Sequence, residues 1–133
     1  MASNKVPSEE RPGYVYLLHS KVHMNSKEHV YKIGKTRNFP GRFQQYPKGS
    51  LVLAVWNCKD CCRVEKEILG RFRRKYEERR DAGAEYFQGD WRNMRNDIHE
   101  ILCAVETDED VKEHRTRVVL VEDKKAFILS VFE

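Results

Sequence analysis

The first part of the chain alternates between apolar and polar side chains in the way that β-strands do. Residues 13–18 and residues 29–34 are short and rich in aromatic and β-branched side chains, so we predict a strand over each of them. The mostly polar residues 20–28 are predicted to form a turn or loop. The two strands would then pair as an antiparallel hairpin.

A short helix and a third strand are predicted next. Asn38 is a residue type that caps helices and Pro40 suits a first turn, so we expect a helix that runs to about Tyr46. Its apolar side chains at helical spacing are Phe39, Phe43 and Tyr46. Residues 51–56 form a continuous apolar run of strand length, which predicts a buried central strand.

The longest periodic segment covers residues 61–79 and predicts an amphipathic helix with a largely charged outer face. The apolar face of this helix is marked by Ile68, Leu69, Phe72 and Tyr76. Residues 85–87 are predicted to be a short extended piece, and residues 90–105 repeat apolar side chains at the spacing of a further helix.

The end of the chain predicts two more strands, over residues 118–121 and 126–132, joined by a turn at residues 122–125. The predicted order is β-β-α-β-α, followed by a short strand, a helix and a hairpin. We therefore expect an α+β fold in which helices flank a small central antiparallel sheet, with an additional C-terminal helix and hairpin.

A chain of 133 residues fits one domain, and its 40% hydrophobic and 35% charged residues are typical of a globular protein in water. We assign the domain to residues 13–105, a flexible leader to residues 1–12, and an extension to residues 106–133. The extension is expected to pack on the domain or to pair with a second chain in a homodimer. The polar start of the chain and the absence of a long apolar run predict an intracellular protein, in the cytoplasm or nucleus, and no membrane partner.

The formal net charge of +4 is unevenly distributed. Basic side chains cluster in residues 32–42 and 71–80, whereas residues 106–110 are acidic. A basic surface of this kind suits a polyanion such as DNA or RNA. The alternative is that each basic run solvates one face of a helix, so charge alone does not choose between them.

Cys58 and Cys61 have a C-x-x-C spacing, but no second pair follows at the distance that a zinc site requires. Cys103 and the nearby His99 lie far downstream of it. We therefore interpret the cysteines as reduced, partly buried thiols.

Glu65 lies at the centre of the apolar face of the helix predicted over residues 61–79, whereas Glu67 lies on the opposite, charged side. A carboxylate within an apolar face is costly to bury unless it is paired or binds a metal ion. The alternative is that Glu65 lies near the edge of the domain in a first turn, where a negative charge favours the helix N-terminus.

The strand pair places a second group of side chains together. Strand alternation predicts that four side chains face the core, namely Val15, Leu17, Tyr31 and Ile33. Tyr16, Lys32 and the bare backbone at Gly34 would then face outward together, leaving space for a ligand or another backbone. The alternative is that the tyrosines are ordinary strand aromatics.

These motifs, taken in order, resemble the GIY-YIG nuclease superfamily, and most of all its branch in phages and large DNA viruses. The resemblance covers about 75 residues, from Gly13 to Phe87. Its first motif is Tyr-Val-Tyr, ending at Tyr16, and its second is Tyr-Lys-Ile-Gly-Lys-Thr, with Lys32 where most relatives carry tyrosine. Arg42 follows Gly34 by eight residues, and the remaining matches are Tyr46, Glu65 in Glu-Lys-Glu-Ile-Leu, and Glu85-Tyr86-Phe87.

The resemblance implies a metal-dependent endonuclease that hydrolyses phosphodiester bonds in DNA, encoded by a virus and carrying one Mg²⁺ or Mn²⁺ on Glu65. Arg42 would bind the phosphate. Tyr16, assisted by Lys32 or Tyr46, would orient or deprotonate the attacking water. The side chains expected to contact the nucleic-acid backbone are Lys35, Arg37, Arg71 and Arg74.

Two other functions remain open on the sequence alone. The domain could bind DNA or RNA through the same basic surface after losing catalysis. It could also be a protein-interaction module in which Glu65 is structural.

Overall fold

The computed structural model describes residues 11–106 of the chain. Over these residues it contains one five-stranded antiparallel sheet with the strand order β3-β1-β2-β5-β4. The strands are β1 (Gly13–His19), β2 (Val30–Thr36), β3 (Leu51–Cys58), β4 (Glu77–Glu78) and β5 (Tyr86–Gln88). The helices are α1 (Lys21–Asn25), α2 (Phe39–Phe43), α3 (Cys61–Lys75) and α4 (Trp91–Val105). The predicted α+β class with a helix-flanked antiparallel sheet is confirmed.

Helices cover the sheet on both faces, and each face has its own apolar cluster. The larger cluster lies beneath α3 and α4 and includes the four strand side chains predicted to face the core, Val15, Leu17, Tyr31 and Ile33. The smaller cluster lies beneath α2 and contains Tyr16, Leu18, Phe39, Phe43, Val52 and Val55. Since both faces are covered, strand residues of either parity are buried.

The position of residues 51–56 in the sheet differs from the prediction. Their apolar run predicts a central strand, but β3 lies at the edge of the sheet and pairs only with β1 among the described strands. The run is continuously apolar because helices cover both faces of β3, and this burial does not require a strand partner on each side.

One helix was not predicted, and two others end earlier than predicted. The expected loop over residues 20–28 contains α1, which begins where the Ser20 hydroxyl accepts a hydrogen bond from the Val22 amide. Helix α2 ends at Phe43 rather than near Tyr46. Helix α3 ends at Lys75 rather than at residue 79, because the next residues form β4 and pair with β5.

Side-chain caps fix where the long helices begin and end. Asp60 and Asp90 accept hydrogen bonds from the first-turn amides of α3 and α4 respectively. At the other end of α4, the Glu106 carboxylate accepts hydrogen bonds from the backbone amides of Lys59 and Asp60, at 2.7 and 3.1 Å. The end of α4 is thereby tied to the turn that leads from β3 into α3.

Most of two predicted segments lies outside the described residues, namely residues 1–10 of the leader predicted over residues 1–12 and residues 107–133 of the extension, which include the predicted hairpin. The homodimer predicted through that extension therefore stays a prediction. Within residues 11–106, no helix is long and apolar enough to cross a membrane.

Candidate functional site

Tyr16 and Gly34 lie directly opposite each other on the paired strands β1 and β2. A Cβ atom built on Gly34 would overlap the phenol ring of Tyr16, so the glycine leaves the space that this ring fills. The expectation that both positions face outward is wrong, because Tyr16 is only 1% exposed beneath α2. The space at Gly34 is therefore taken by a side chain of the same sheet.

The phenol of Tyr16 is the centre of a small polar group beneath α2. Its hydroxyl lies 2.6 Å from the hydroxyl of Tyr46, and Arg42 Nε donates to it over a longer 3.5 Å. Arg42 Nη1 also donates to Gln45 at 2.8 Å, which holds the guanidinium in place. Helix α2 therefore carries Arg42 to Tyr16, as the sequence predicts, and the segment after it carries Tyr46.

The packing of α2 explains why these groups meet. Asn38 caps the helix by accepting a hydrogen bond from the Gly41 amide, and Phe39 packs edge-on against Tyr16 with ring centres 5.2 Å apart. Burial raises the pKa of Tyr46 well above its usual value. Tyr46 therefore keeps its proton at neutral pH.

Lys32 reaches the same face of the sheet but is not exposed as predicted, since only 9% of it is accessible. Its ammonium donates to the Ala84 carbonyl at 3.0 Å, lies 3.5 Å from the Glu85 carboxylate, and sits 5.0 Å from the centre of the Tyr86 ring. The segment that leads into β5 thus covers Lys32. Burial is the largest influence on the lysine and lowers its pKa.

Glu65 is buried on α3, with 6% exposed, in the position that helical periodicity predicts. Its Oε1 atom accepts a hydrogen bond from the Lys35 ammonium at 2.9 Å, and this contact raises the pKa of Lys35. The carboxylate is therefore paired rather than isolated, which removes much of the cost of burying it. The alternative of a first-turn position near the domain edge does not apply, because Glu65 is the fifth residue of α3 and is buried.

Strand β5 covers only part of the edge of β2 that faces away from β1. Strand β5 pairs with residues 30–32 of β2, and the Ile33 amide donates to the Glu85 carbonyl. Residues 34–36 pair with β1 on one side, but on the other side they have no strand partner among the described residues. Lys32 lies within electrostatic influence of both Arg42 and Glu65. Lys32 lies on the same face of the sheet as Tyr16, whereas Glu65 lies on α3, which packs on the other face.

The four side chains predicted to contact the nucleic-acid backbone do not lie together. Lys35 lies beside Glu65, and Arg37 is exposed just after β2. Arg71 is turned toward α4, where it pairs with Glu100 at 2.7 Å and approaches Asp97 at 3.5 Å. Arg74 lies on the exposed side of α3, nine residues and therefore two and a half turns after Glu65, on the far side of the helix. The structure does not bring Arg71 and Arg74 to the Tyr16 group.

Glu85 belongs to the site but was matched in the sequence only as part of a motif, without a role. It has a φ of 68°, in the left-handed region that side chains other than glycine rarely adopt. In this conformation its carbonyl accepts from the Ile33 amide while its carboxylate pairs with Lys32. Nothing in the residue type indicates this backbone geometry, so periodicity and motif spacing cannot find it.

The fit of a divalent cation depends on Glu65. Within the described residues, no group of three or more His, Cys, Asp or Glu side chains could hold a metal ion. A single Mg²⁺ does not need such a group, since it keeps several waters and takes one or two carboxylates together with phosphate oxygens. The Glu65 carboxylate is already paired with a cationic group, the exposed Lys35 ammonium, so its chemistry fits one hard cation.

Comparison with known families matches residues 13–105 to the T5orf172 domain, a phage-associated domain found in the context of GIY-YIG-like and HNH-like endonucleases. No curated protein and no solved structure matches the chain. The match includes every strand and helix that carries the candidate site.

Proposed function

Because the chain belongs to the T5orf172 domain family, we propose that it is a metal-dependent endonuclease of the GIY-YIG type that hydrolyses phosphodiester bonds in DNA. The family supports a nuclease-like or DNA-binding role. The observation that carries the proposal is the hydrogen-bonded group of Tyr16, Tyr46 and Arg42. Lys32 lies on the same face of the sheet, and the Glu65 carboxylate on α3 is paired with Lys35 of the same strand, β2. Phosphodiester hydrolysis needs charge stabilisation at the phosphate, an oriented water and a metal ligand, and these side chains are of the types that supply them.

Arg42 is the proposed phosphate ligand. Its planar guanidinium can give two parallel hydrogen bonds to the non-bridging oxygens, where charge grows during the reaction. Its contact with Tyr16 orients one edge of the guanidinium, and its hydrogen bond to Gln45 holds another. The side chain is exposed, so a phosphate can reach it.

Tyr16 is the proposed residue that orients the attacking water. Arg42 donates to its oxygen, and the Tyr46 hydroxyl lies 2.6 Å from the same oxygen. A water that approaches this oxygen would meet a group whose direction is already fixed. Tyr46 acts through Tyr16, as a positioning residue.

Glu65 is the proposed metal ligand. The cation supplies charge stabilisation at the phosphate and at the departing oxygen. Lys35 would leave the carboxylate when the cation binds, and its ammonium would then be available to a DNA phosphate. Arg37 extends this basic surface past the end of β2.

Lys32 is the proposed proton acceptor in place of the tyrosine of related sequences, and this assignment predicts a pH dependence. Burial lowers its pKa below the usual 10.5, against the opposing effect of Glu85 and Glu65 and with a smaller contribution from Arg42. The cleavage rate should therefore rise with pH as the ammonium loses its proton. Lys32→Arg, which keeps the charge but holds its proton, should lose that rise in single-turnover rates measured from about pH 6 to 10. If Lys32→Arg kept the wild-type dependence of the cleavage rate on pH, Lys32 could not be the proton acceptor.

Nicking of a supercoiled plasmid in Mg²⁺ or Mn²⁺, with EDTA as the control, tests the proposed function. The proposal predicts nicking that requires the metal and declines as salt rises. In parallel, the binding of a fluorescent duplex is measured at two salt concentrations, because binding and cleavage can be separated.

The same pair of measurements distinguishes the two other functions. Salt-sensitive binding without nicking under any metal would indicate a nucleic-acid-binding module that has lost catalysis. Neither nicking nor binding to DNA or RNA would indicate a protein-interaction module. Either result contradicts the proposed hydrolysis.

A further inference from the structure

Helix α4 is bordered by two surface cavities that play no part in the site described above. The first has a volume of about 420 Å³ and is lined by His29, Tyr31, Asp90, Trp91 and Arg92. The second has a volume of about 370 Å³ and is lined by Trp56, Arg95, Asn96, His99 and Glu100. Both have the size of small-ligand sites.

The indole of Trp56 lines the second cavity and carries a hydrogen-bond donor without a partner among the described residues. Trp56 is 1% exposed, and its Nε1 hydrogen has no hydrogen-bond partner within the described residues. A buried donor without a partner is costly, so a native structure that keeps one invites an acceptor. Asn96 and His99 add an exposed amide and imidazole to the same cavity.

Two arginines extend along α4 between the cavities. Arg92 and Arg95 lie over the ring of Trp91, with guanidinium carbons 5.1 and 5.2 Å from its centre. Neither makes an ion pair among the described residues. An aromatic ring that holds two guanidinium groups orders them at low entropic cost and leaves their hydrogen-bond donors available.

The neighbouring acids do not cancel this positive charge. The side chain of Asp90 accepts from the Arg92 amide at the start of α4, and the carboxylate of Glu100 accepts from Arg71 at 2.7 Å. Arg71 balances the charge of Glu100, and Asp90 offsets only one of the two arginines, so a net positive charge remains. The surface between the cavities therefore favours an anion that carries hydrogen-bond acceptors.

We propose that this surface, defined as the α4 groove and formed by Trp56, Trp91, Arg92, Arg95, Asn96 and His99, binds a single-stranded nucleic acid. Arg92 and Arg95 would bind consecutive phosphates. An unpaired base would enter the second cavity, where its carbonyl or ring nitrogen accepts from the Trp56 indole. Aromatic rings interleaved with basic side chains are the general means of binding single strands, whereas the paired bases of a duplex could not enter the cavity.

The α4 groove contains none of the five proposed catalytic side chains, although Glu65 lies on α3, which packs on the same face of the sheet as α4. Helix α4 packs with α3 against one face of the sheet, whereas α2 and Tyr16 lie on the other. The inference therefore goes beyond the proposed hydrolysis and does not depend on it. A second contact of this kind would favour DNA substrates that carry a single-stranded branch or end.

Fluorescence anisotropy with a labelled oligothymidylate of about 15 nucleotides, in EDTA so that no cleavage occurs, tests the α4 groove. Arg95→Gln should weaken binding about tenfold and reduce the slope of log affinity against log salt by about 0.7. Arg80→Gln removes the same charge in the β4–β5 connection and should leave binding within about twofold. Equal loss in both variants, or none in Arg95→Gln, would overturn the proposal.

Two further comparisons test the cavity itself. His99→Ala changes an exposed side chain, so it should fold normally and should also weaken binding of the oligonucleotide. Trp56→Phe removes the indole donor, and its thermal unfolding is measured alongside because the ring is in the core. Wild-type affinity in His99→Ala would exclude the cavity, as would an equal affinity for a duplex of the same length.

Discussion

Arg42→Gln is expected to reduce metal-dependent cleavage by about 10²–10³-fold while leaving the protein folded. Glutamine keeps a polar side chain at this exposed position of α2, but it loses the positive charge and the two-pronged donor that the transition state requires. The buried aromatic packing of α2, which involves Phe39 and Phe43, is unaffected. Single-turnover rates at saturating protein measure the chemical step apart from binding.

The control for Arg42→Gln is Arg63→Gln, which removes the same charge from an exposed position on α3. This variant should cleave within about threefold of wild type, because a single exposed charge contributes mainly to salt-dependent binding. If Arg42→Gln cleaved as fast as Arg63→Gln, Arg42 could not be the phosphate ligand.

Gly34→Ala should destabilise the domain by about 1–3 kcal/mol and abolish cleavage with it. The added methyl group would occupy the space that the Tyr16 ring fills, across the strand pair from Gly34. The ring is fully buried against Phe39, so it cannot move without disturbing the contacts that hold Arg42 and Tyr46. Chemical denaturation followed by circular dichroism measures the change in the free energy of unfolding.

Gly70→Ala provides the matched substitution. A Cβ at Gly70 would meet only the end of the Arg74 side chain, at an ordinary 3.7 Å, and the position is in the middle of α3. Alanine should therefore stabilise the helix by up to about 1 kcal/mol. Wild-type stability in Gly34→Ala would mean that the Tyr16 ring does not depend on this space.

Periodicity predicted the parts of the site that depend on one element at a time. The helical spacing around Glu65 correctly places this residue within the apolar face of α3. Strand alternation correctly assigns Tyr16 and Lys32 to the face opposite Ile33. Strand alternation alone does not show that this face is buried. The residues that bury it belong to α2 and to the segment around Glu85, which are distant in sequence from these strands.

Pairings between distant elements were not predictable from these patterns. Lys35 looks like a nucleic-acid contact in the sequence, yet it pairs with Glu65 thirty residues later. Arg71 belongs to a basic run, but the packing of α4 on α3 brings Glu100 to it. Local charge patterns indicate which side chains are ionised, whereas tertiary packing decides which of them are paired.

Two features of the backbone, the end of α3 and the conformation of Glu85, were also not predictable from these patterns. Helix α3 ends at Lys75 although the polar residues after it continue a helical pattern, because β4 gains its hydrogen bonds from β5. The positive φ of Glu85 has a similar origin, since the hydrogen bond from the Ile33 amide holds that residue in place. Such features depend on contacts that form only when the sheet is assembled.

The carboxylate on α3 offers the most direct measurement of the central claim, that this group of side chains hydrolyses DNA with a metal bound to Glu65. Glu65→Gln and Glu67→Gln make the same chemical change two residues apart, at a buried position and at an exposed one. Plasmid nicking in Mg²⁺ should fall to the level of the EDTA control in Glu65→Gln and should persist in Glu67→Gln. Folded Glu65→Gln protein that nicks the plasmid as fast as wild type would contradict the account.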